Sequence, residues 1–437
     1  MTENDRLECP KRRNVLKTLG VGGAASLLAG CAGNGNGGNG NGNGGNGGGN
    51  GGGNGGGGLP DTVTVGLLAP LSGAYGFAGE FQDQGLRLAF NEINESDDVL
   101  PDTTLEVVNG DTETDPDTGL SEARRLVQQE DIDLMAGATS SSVASVLSEY
   151  ATSQGMLFSL IQAADRALTT GEDCRMTTYR PNPHTHQAGI LAGEWCTEQF
   201  GDQAFVLYQD YSYGQATRDG VGIGIERAGG EIVDEAAVPL GNQQFQSVID
   251  QIQSSDADWL LFGITGSGST AFLTQAANRG FDMPMGNQSL PAYATGEVGS
   301  DIMSQFSELY RTPCLYTREI DTEQNAQHVE AFQNEYGHPP NYSSETGYMV
   351  GRFLGEGLNE AQTLDPAEAR SALEGFSFES ARGENTIREC DHQGIPPFYI
   401  ARVTGADDDL GLGTHEIIEQ VDSADYTTPC EDVECQM

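Results

Sequence analysis

Three consecutive serines, Ser140 to Ser142, are the first candidates for chemistry, because they stand where an apolar run gives way to a helical pattern. The run "DLMAGAT" leads into them, and the pattern "SSVASVL" continues from them. Serine is a favoured N-cap residue. The exposed N–H groups of a helix start, together with nearby hydroxyls, also bind anionic groups. The serines therefore predict a capped helix, an anion-binding helix start, or both, since different serines can fill the two roles.

Other motifs that carry chemistry do not reach the spacing that their reactions need. His184 and His186 form an H-x-H pair, but no Asp, Glu or Cys lies near them at the spacing of a metal site. The glycine-rich "GITGSGST" has neither the G-x-G-x-x-G nor the Walker spacing and is interpreted as a loop at a strand end. No G-x-S-x-G nucleophile motif occurs. The sequence predicts no enzyme, no metal and no cofactor.

The first 30 residues have the pattern of an export signal. Twin arginines, Arg12 and Arg13, precede a weakly apolar stretch, 18–30, which is shorter than the roughly 20 residues of a membrane span. Twin arginines indicate export in the folded state. The run "LAGC" resembles a bacterial-type lipobox, which implies cleavage before Cys31 and lipidation of its thiol. We expect a lipid-anchored protein at the extracellular face of the cytoplasmic membrane.

Residues 31–58 comprise this cysteine and a linker made almost entirely of Gly and Asn. Such a segment cannot bury enough apolar surface to offset its ordering entropy. As a flexible coil it would span about 30 Å. The fold is expected to begin near Leu59.

The charge of the exported chain is strongly negative. Five of the 21 Lys+Arg and three of the 65 Asp+Glu precede Cys31, which leaves 16 arginines, no lysine, 62 acidic residues and a net charge of −46. The acidic residues are spread over the whole chain and do not form a tail. This distribution indicates adaptation to very high salt, where charge is screened over a few ångströms. Nucleic acid and anionic membrane surfaces are excluded as partners.

Six cysteines remain when Cys9 and Cys31 are set aside. No C-x-x-C spacing favours a metal site, and an extracellular location favours disulfides. Six cysteines allow 15 pairings, and the sequence does not choose among them. They are Cys174, Cys196, Cys314, Cys390, Cys430 and Cys435.

Strand-like and helix-like patterns alternate along the body of the chain. "TVTVGLL", "TLEVVNGD" and "QAFVLYQD" have strand patterns, whereas "LSEARRLVQQ" and "HQAGILAGEWCTEQF" have helical ones. Such alternation predicts an α/β fold with parallel sheets covered by helices on both faces. About 375 residues exceed what one core usually supports, so two lobes are expected.

Several of these runs, in this order, resemble the leucine/isoleucine/valine-type extracellular solute-binding proteins. The resemblance covers about residues 61–404 and rests on "VTVGLLAPLSGAYGFAGEFQDQGLRLAFNEIN", "GDTETDP", "AGATSSSVAS", "YRPNPHTHQ", "YQDYSYG" and "DQIQSSDADWLLFG". It implies a two-lobed type I periplasmic-binding fold in which each lobe is a doubly wound parallel sheet flanked by helices. A three-strand hinge would join the lobes, with the ligand between them.

The resemblance also implies where the lobes begin and end. The crossovers would lie near "MTTYRPN", "RTPCLYTRE" and "SFESARGENT". The implied segments are 61–180 with 316–380 for lobe 1, 181–315 with 381–421 for lobe 2, and 422–437 for a C-terminal tail.

The ligand-binding residues follow from the same resemblance. Ser140 and Ser141 match the serines that hold the ligand's carboxylate. From the residues themselves, Tyr75 would cover the ligand from lobe 1 and Tyr211 and Tyr213 would line the mouth of the cleft, or each of these tyrosines would serve packing or turn structure instead. Thr265 and Tyr213 would complete the site from lobe 2, and Gln162 is a further candidate.

Two positions depart from the amino-acid-binding pattern. Ala164 stands where the family has a threonine, and Gln288 stands where it often has a glutamate that pairs with the ligand's ammonium. A neutral amide cannot offset a buried ammonium as a carboxylate does. Either Asp210 or Asp165 supplies the counter-charge, or the ligand has no α-amino cation.

The function implied by the resemblance is the substrate-binding component of an ABC importer, which would deliver a small solute to permease and ATPase subunits. Branched-chain amino acids, amides, urea and carboxylates are the solute classes carried by such proteins. Two alternatives stay open: a ligand-binding sensor that signals through a membrane receptor, and an extracellular amide hydrolase. The sequence does not identify the ligand, and the choice between importer and sensor needs gene context.

Overall fold

The computed structural model describes residues 58–73, 75–171, 173–288 and 290–435. The twin arginines, Cys31 and the Gly/Asn linker lie outside these residues, so the export signal and the lipid anchor stay predictions. Strands and helices are numbered below in chain order.

The first sheet has five parallel strands in the order β2-β1-β3-β4-β5. Its strands are β1 Thr62–Ala69, β2 Thr104–Asp111, β3 Leu134–Gly137, β4 Phe158–Leu160 and β5 Thr178–Tyr179. The helices between them are α1 Gly76–Asn94, α2 Pro116–Gln129, α3 Ser141–Gln154 and α4 Ala167–Thr170. Since β3 and β4 are buried throughout, this sheet is covered on both faces, as the apolar runs predicted.

The second sheet has seven strands in the order β14-β13-β10-β9-β8-β6-β7. Its parallel strands are β6 Gln203–Gln209, β7 Glu231–Val238, β8 Trp259–Gly263, β9 Met285–Asn287 and β10 Leu309–Cys314. The intervening helices are α5 Thr185–Phe200, α6 Ser212–Arg227, α7 Gln246–Ser254, α8 Ser267–Asn278, α9 Ala292–Val298 and α10 Ser300–Met303. An antiparallel hairpin of β13 Phe398–Asp407 and β14 Leu412–Val421 extends the β10 side. The strand–helix alternation does not predict this hairpin.

Three further helices and a small hairpin complete the first lobe. They are α11 Glu323–Tyr336, α12 Tyr342–Ala361, α13 Pro366–Leu373, β11 Ser377–Ser380 and β12 Gly383–Thr386. Side chains of α12 such as Phe353 and Leu354 share one core with Val63 and Val65 of β1. The observed architecture confirms the predicted α/β class with two lobes.

The described chain passes between the lobes at 180–184, 315–322 and 387–397. Buried polar side chains tie the first passage to the third passage, to α12 and to the turn between β11 and β12. Arg180 donates from Nε to Gln393 Oε1 at 2.7 Å. Arg382 donates from Nε to Glu345 Oε2 at 2.9 Å and from Nη2 to Asn182 Oδ1 at 3.1 Å. Ile387, at the start of the third passage, packs in the core of the first sheet. The predicted lobe boundaries stay predictions.

Four of the six cysteines form disulfides. Cys174 is bonded to Cys435 and Cys390 to Cys430, with Cα–Cα distances of 5.6 Å and 5.7 Å. Cys196 and Cys314 are buried free thiols, although the sequence favoured disulfides for all six. They belong to separate apolar clusters, with Trp195 and with Tyr316 respectively, and therefore do not pair.

Among the described helices, none combines the length and the hydropathy that a bilayer crossing requires.

Candidate functional site

Ser140 occupies the N-cap position of α3, but its side chain does not cap the helix. Its backbone is extended, with φ −79° and ψ 129°, and its hydroxyl forms no capping hydrogen bond. Instead Ser140 Oγ lies 2.9 Å from Ser142 Oγ. Ser141 Oγ accepts the N–H of Asp165 at 3.1 Å, which fixes the loop after β4. The half-buried hydroxyl of Ser140 is therefore left for a role other than capping.

A chain of side-chain amides lies next to these serines. Gln82 of α1 is fully buried, and its Nε2 donates to Thr139 Oγ1 at 2.9 Å and to Gln162 Oε1 at 2.6 Å. Gln162 Nε2 in turn donates to Ser343 Oγ at 3.2 Å. The sequence analysis included Gln162 but missed Gln82 and Ser343, because Ser343 comes from a helix 181 residues further along the chain.

Close packing of α1 against α12 places Ser343 beside Gln162. A Cβ on Gly85 would collide with the carbonyl oxygen of Ser344, and a Cβ on Gly347 would collide with that of Gln82. Glycine at both positions lets the two helix backbones approach this closely. Asn341 then caps α12 by accepting the N–H groups of Ser343 and Ser344.

On the second lobe, Gln209 at the end of β6 organises the predicted residues. Its Oε1 accepts the hydroxyl of Thr265 at 2.8 Å and lies 3.3 Å from the Thr265 backbone nitrogen. Next along the chain, the rings of Tyr211 and Tyr213 stack with centroids 5.8 Å apart. Tyr211 follows β6 and Thr265 follows β8, and these two parallel strands end at the same edge of the sheet. Folds of this kind bind ligands at that edge.

Aromatic side chains from the two lobes meet in front of this edge. The phenol of Tyr211 lies close to Thr265 on its own lobe and to Tyr75 on the first lobe. Burial, reinforced by the neighbouring phenols of Tyr75 and Tyr213, raises the pKa of Tyr211. The ring of Phe77, beside Tyr75, lies 6.1 Å from that of Tyr293 on the second lobe. These contacts bridge the lobes.

The remaining candidates differ in exposure. Gln288 is 3% exposed and donates from Nε2 to Thr217 Oγ1 at 2.5 Å, while its Oε1 has no partner among the described residues. Asp165 and Asp210, the two proposed counter-charges, are both exposed. Ala164 is half-buried, and its carbonyl accepts the N–H of Thr185 at the first passage.

The structure thus brings the predicted residues together in two groups. Ser140, Ser141 and Gln162 lie on the first lobe, within one stretch of loops and hydrogen bonds. Thr265 and Tyr213 lie on the second lobe, and Tyr75 of the first lobe lies close to Tyr211, whose ring stacks on that of Tyr213.

Tyr342, which the sequence analysis missed, adds a phenol at the passages between the lobes. Its hydroxyl accepts Nδ2 of Asn182 at 2.7 Å, and the guanidinium of Arg382 lies 5.5 Å from its ring centroid. Burial raises the pKa of Tyr342, and Tyr213 on the opposite lobe adds to the rise. No local pattern marks Tyr342, because its neighbours come from other segments.

The histidine pair has structural contacts. Nδ1 of His184 accepts the N–H of Gln187 at 3.1 Å and caps α5. Burial, with a smaller effect from Arg166, lowers the pKa of His186 to about 4. Over the residues that the structure describes, no group of three or more His, Cys, Asp or Glu is placed to hold a metal ion.

Two facing α/β lobes with hydroxyl, amide and phenol groups where they meet define a two-lobed binding protein. The sequence model of the periplasmic binding protein family matches residues 62–409, so the chain belongs to this family.

Curated relatives and solved structures agree with this assignment. The chain is 26% identical over 336 residues to the Leu/Ile/Val-binding protein homolog 7 of Brucella melitensis, covering 73% of this chain and 82% of the relative. It is 22% identical to the leucine-, isoleucine-, valine-, threonine- and alanine-binding protein of Pseudomonas aeruginosa, covering 74% and 85%. An amino acid ABC transporter substrate-binding protein from Pseudomonas fluorescens Pf-5 superposes with a TM-score of 0.75 at 23% identity, covering 86% and 99%. A solute-binding protein from Rhodopseudomonas palustris BisB5, in complex with 3,4-dihydroxybenzoic acid, superposes with a TM-score of 0.70 at 22% sequence identity. This superposition covers 83% of this chain and 98% of the other. These structures share the fold.

Proposed function

We propose that this protein is the extracellular solute-binding component of an ABC importer. It would close its two lobes around a small solute and deliver that solute to the permease. The observation that carries the proposal is that aromatic side chains of the two lobes meet, with the ring of Phe77 6.1 Å from that of Tyr293, while Gln82 on the first lobe holds Thr139, next to Ser140, and Gln162. A solute shifts the open–closed equilibrium only through contacts that differ between the two states. Family membership and the names of the relatives support the same role.

The solute class is branched-chain amino acids or related amides, urea and carboxylates, and within it we favour a carboxylate without an ammonium group. The hydroxyl of Ser140, which does not cap the helix, and the N-terminus of α3 suit a carboxylate. Gln288 is neutral, and the carboxylates of Asp165 and Asp210 are exposed, so a buried ammonium would lack a strong counter-charge. Some fold relatives were solved with benzoate or 4-hydroxybenzoate, whereas curated relatives are named for aliphatic amino acids.

The setting of the protein is part of the proposal. Twin-arginine export, lipidation at Cys31 and the linker up to residue 58 would hold the binding lobes at the outer face of the membrane. The net charge of −46 and the absence of lysine after residue 17 suit very high salt.

Thermal-shift screening in molar salt tests the function. Leucine, 4-methylpentanoate and 4-methylpentanamide share one side chain and separate the carboxylate from the ammonium; benzoate, benzamide and urea extend the panel. A compound at 100 times its dissociation constant adds about 2.7 kcal/mol to the free energy of unfolding. We expect the carboxylates to stabilise the protein more than their amides. A panel in which no compound stabilises the protein would count against a solute-binding role of this kind.

A further inference from the structure

The C-terminal tail, residues 422–435, begins on the second lobe. It leaves β14 and forms a 3-10 turn, Ser423–Tyr426, capped by the side chain of Asp422. The carbonyl of Ser423 accepts Nε2 of Gln187 on α5 at 3.2 Å, and Ser423 itself is fully buried. Tyr426 packs against the apolar cluster of α5, α6 and the second sheet. The first half of the tail is therefore fixed to the second lobe.

The second half of the tail is fixed to the first lobe and to the third passage. The carbonyl of Thr428 accepts Nη2 of Arg388 at 2.7 Å. Cys430 is bonded to Cys390, and Cys435 is bonded to Cys174 in the loop before β5. The N–H of Glu434 donates to the carbonyl of Thr170 on α4 at 3.3 Å.

The loops that receive the two disulfides belong structurally to the first lobe. Asp173, next to Cys174, accepts the hydroxyl of Ser145 on α3 at 3.1 Å. His392, two residues after Cys390, stacks on Tyr179 of β5 with ring centroids 4.1 Å apart. The tail thus starts on one lobe and is covalently fastened to the other.

We propose that this tail is a strap across the hinge that limits how far the two lobes can open. Four residue steps separate Tyr426 on the second lobe from Cys430, whose disulfide holds it to the first lobe. An extended chain covers at most about 3.3–3.6 Å per residue, so this link cannot stretch beyond about 14 Å while its anchors hold. The third passage, from Cys390 to Phe398, has eight steps and allows about twice that span. The strap is therefore shorter than the third passage to which it is bonded, and it adds a fourth connection beside the first passage, 180–184, which is about as short.

The strap is seated while the lobes are in contact, since the same structure has the ring of Phe77 on the first lobe 6.1 Å from that of Tyr293 on the second lobe. Breaking its disulfides leaves the three other passages intact. Release should therefore widen the distribution of lobe separations and leave the fold of each lobe in place. This inference concerns the hinge alone and holds whichever solute the protein binds.

The test measures the distance between the lobes in the full ligand-free chain. Fluorophores are placed on the exposed positions Glu80 of α1 and Gln215 of α6 through encoded non-natural residues, so that no cysteine is used. The wild type is compared with a Cys430→Ser/Cys435→Ser variant, each with and without a phosphine reductant. Mass spectrometry after alkylation confirms which bridges are open, and far-UV circular dichroism reports the fold.

We expect energy transfer to fall when the wild type is reduced, to be low in the variant from the outset, and to be insensitive to reductant in the variant. Circular dichroism should stay unchanged throughout. Unchanged energy transfer in a wild type whose bridges are shown to be open would overturn the proposal. Loss of the dichroism signal on reduction of the wild type would also overturn it, because the bridges would then hold the fold together instead of the hinge. If the variant does not fold, the reduction of the wild type decides alone.

Discussion

Replacing Ser140 by alanine distinguishes a helix cap from a ligand contact, because loss of a cap lowers stability whereas loss of a ligand contact lowers affinity. Ser140 holds the N-cap position of α3, yet its hydroxyl makes no capping hydrogen bond. The variant Ser140→Ala should therefore leave the free energy of unfolding of the ligand-free protein within about 0.5 kcal/mol of the wild type. A true serine cap would cost about 1 kcal/mol when removed.

Binding should respond much more strongly than stability. If Ser140 donates its hydroxyl to a carboxylate that is buried on closure, its loss leaves that acceptor unpaired at a cost of about 1–3 kcal/mol. Since each 1.4 kcal/mol is tenfold in a dissociation constant, affinity should fall by roughly 5- to 150-fold. Isothermal titration with the best compound of the solute panel measures this change, and chemical unfolding without ligand measures stability.

Two matched variants calibrate the result. Asp365 caps α13 by accepting the N–H groups of Ala367 at 2.9 Å and Glu368 at 3.1 Å, and α13 follows the end of α12 opposite to Ser343, so Asp365→Ala should cost about 0.5–2 kcal/mol of stability and leave affinity unchanged. Ser141→Ala removes the acceptor of the Asp165 N–H and should lower both the free energy of unfolding and the affinity for the solute. If Ser140→Ala instead behaves like Asp365→Ala, with reduced stability and normal affinity, the reasoning about Ser140 is refuted.

Four further predictions concern the site, the setting and pH. Gln288→Glu should weaken binding of a carboxylate solute, because it places a second negative charge where the amide now bonds Thr217; titration calorimetry measures the change. Lowering the salt from 3 M to 0.1 M should lower the melting temperature, because a charge of −46 then repels itself with less screening; calorimetry at each salt measures the shift. Cys31→Ser should move the protein from the membrane fraction to the soluble fraction or block its processing, as seen on immunoblots. Although burial opposes it, the imidazole of His415, 3.6 Å from Glu319 Oε2, and a hydrogen bond donated by Thr317 lower the pKa of Glu319 to about 2, so its contribution to stability is present above pH 4.5 and is lost as the pH falls towards 2. Glu319→Gln should therefore reduce the slope of unfolding free energy against pH in that window, measured by denaturant titration.

Each of these predictions has an outcome that contradicts it, and those on salt and on the anchor also have a control. Tighter binding of the native solute by Gln288→Glu would reveal a cationic group and favour an amino acid. A melting temperature that is the same at 3 M and 0.1 M salt would contradict the adaptation to high salt. The control is a low-salt sample in which sucrose replaces the salt. Cys9→Ser is the control for the anchor, and unchanged membrane association of Cys31→Ser would exclude lipidation there. An acid slope in Glu319→Gln equal to that of the wild type would show that this carboxylate titrates normally.

The class of fold was predictable from the sequence because its signals are local. Strand β8 is apolar along all five residues and buried along all five, which is the pattern of a strand covered on both faces. The helices following β1, β3 and β6 begin where apolar runs end, so the loops at the carboxyl ends of the strands could be named in advance. Ser140 was therefore placed correctly at the start of α3. The hairpin β13–β14 was not predicted, because it breaks the alternation on which the prediction depended.

What the sequence determined by itself is what neighbouring residues decide: the order of strands and helices, the export-signal and linker patterns, the surplus of acidic charge and the position of the serines. Contacts between distant segments determine the rest: which cysteines pair, that the hydroxyl of Ser140 is not a cap, that Gln82 joins Thr139 to Gln162, and that Ser343 lies beside Gln162 and Tyr342 beside Asn182. Cys174 and Cys435 are 261 residues apart, and their bond depends on how the tail crosses between the lobes. Such contacts join segments that local patterns describe separately, so they exist only once the sheets and helices have packed.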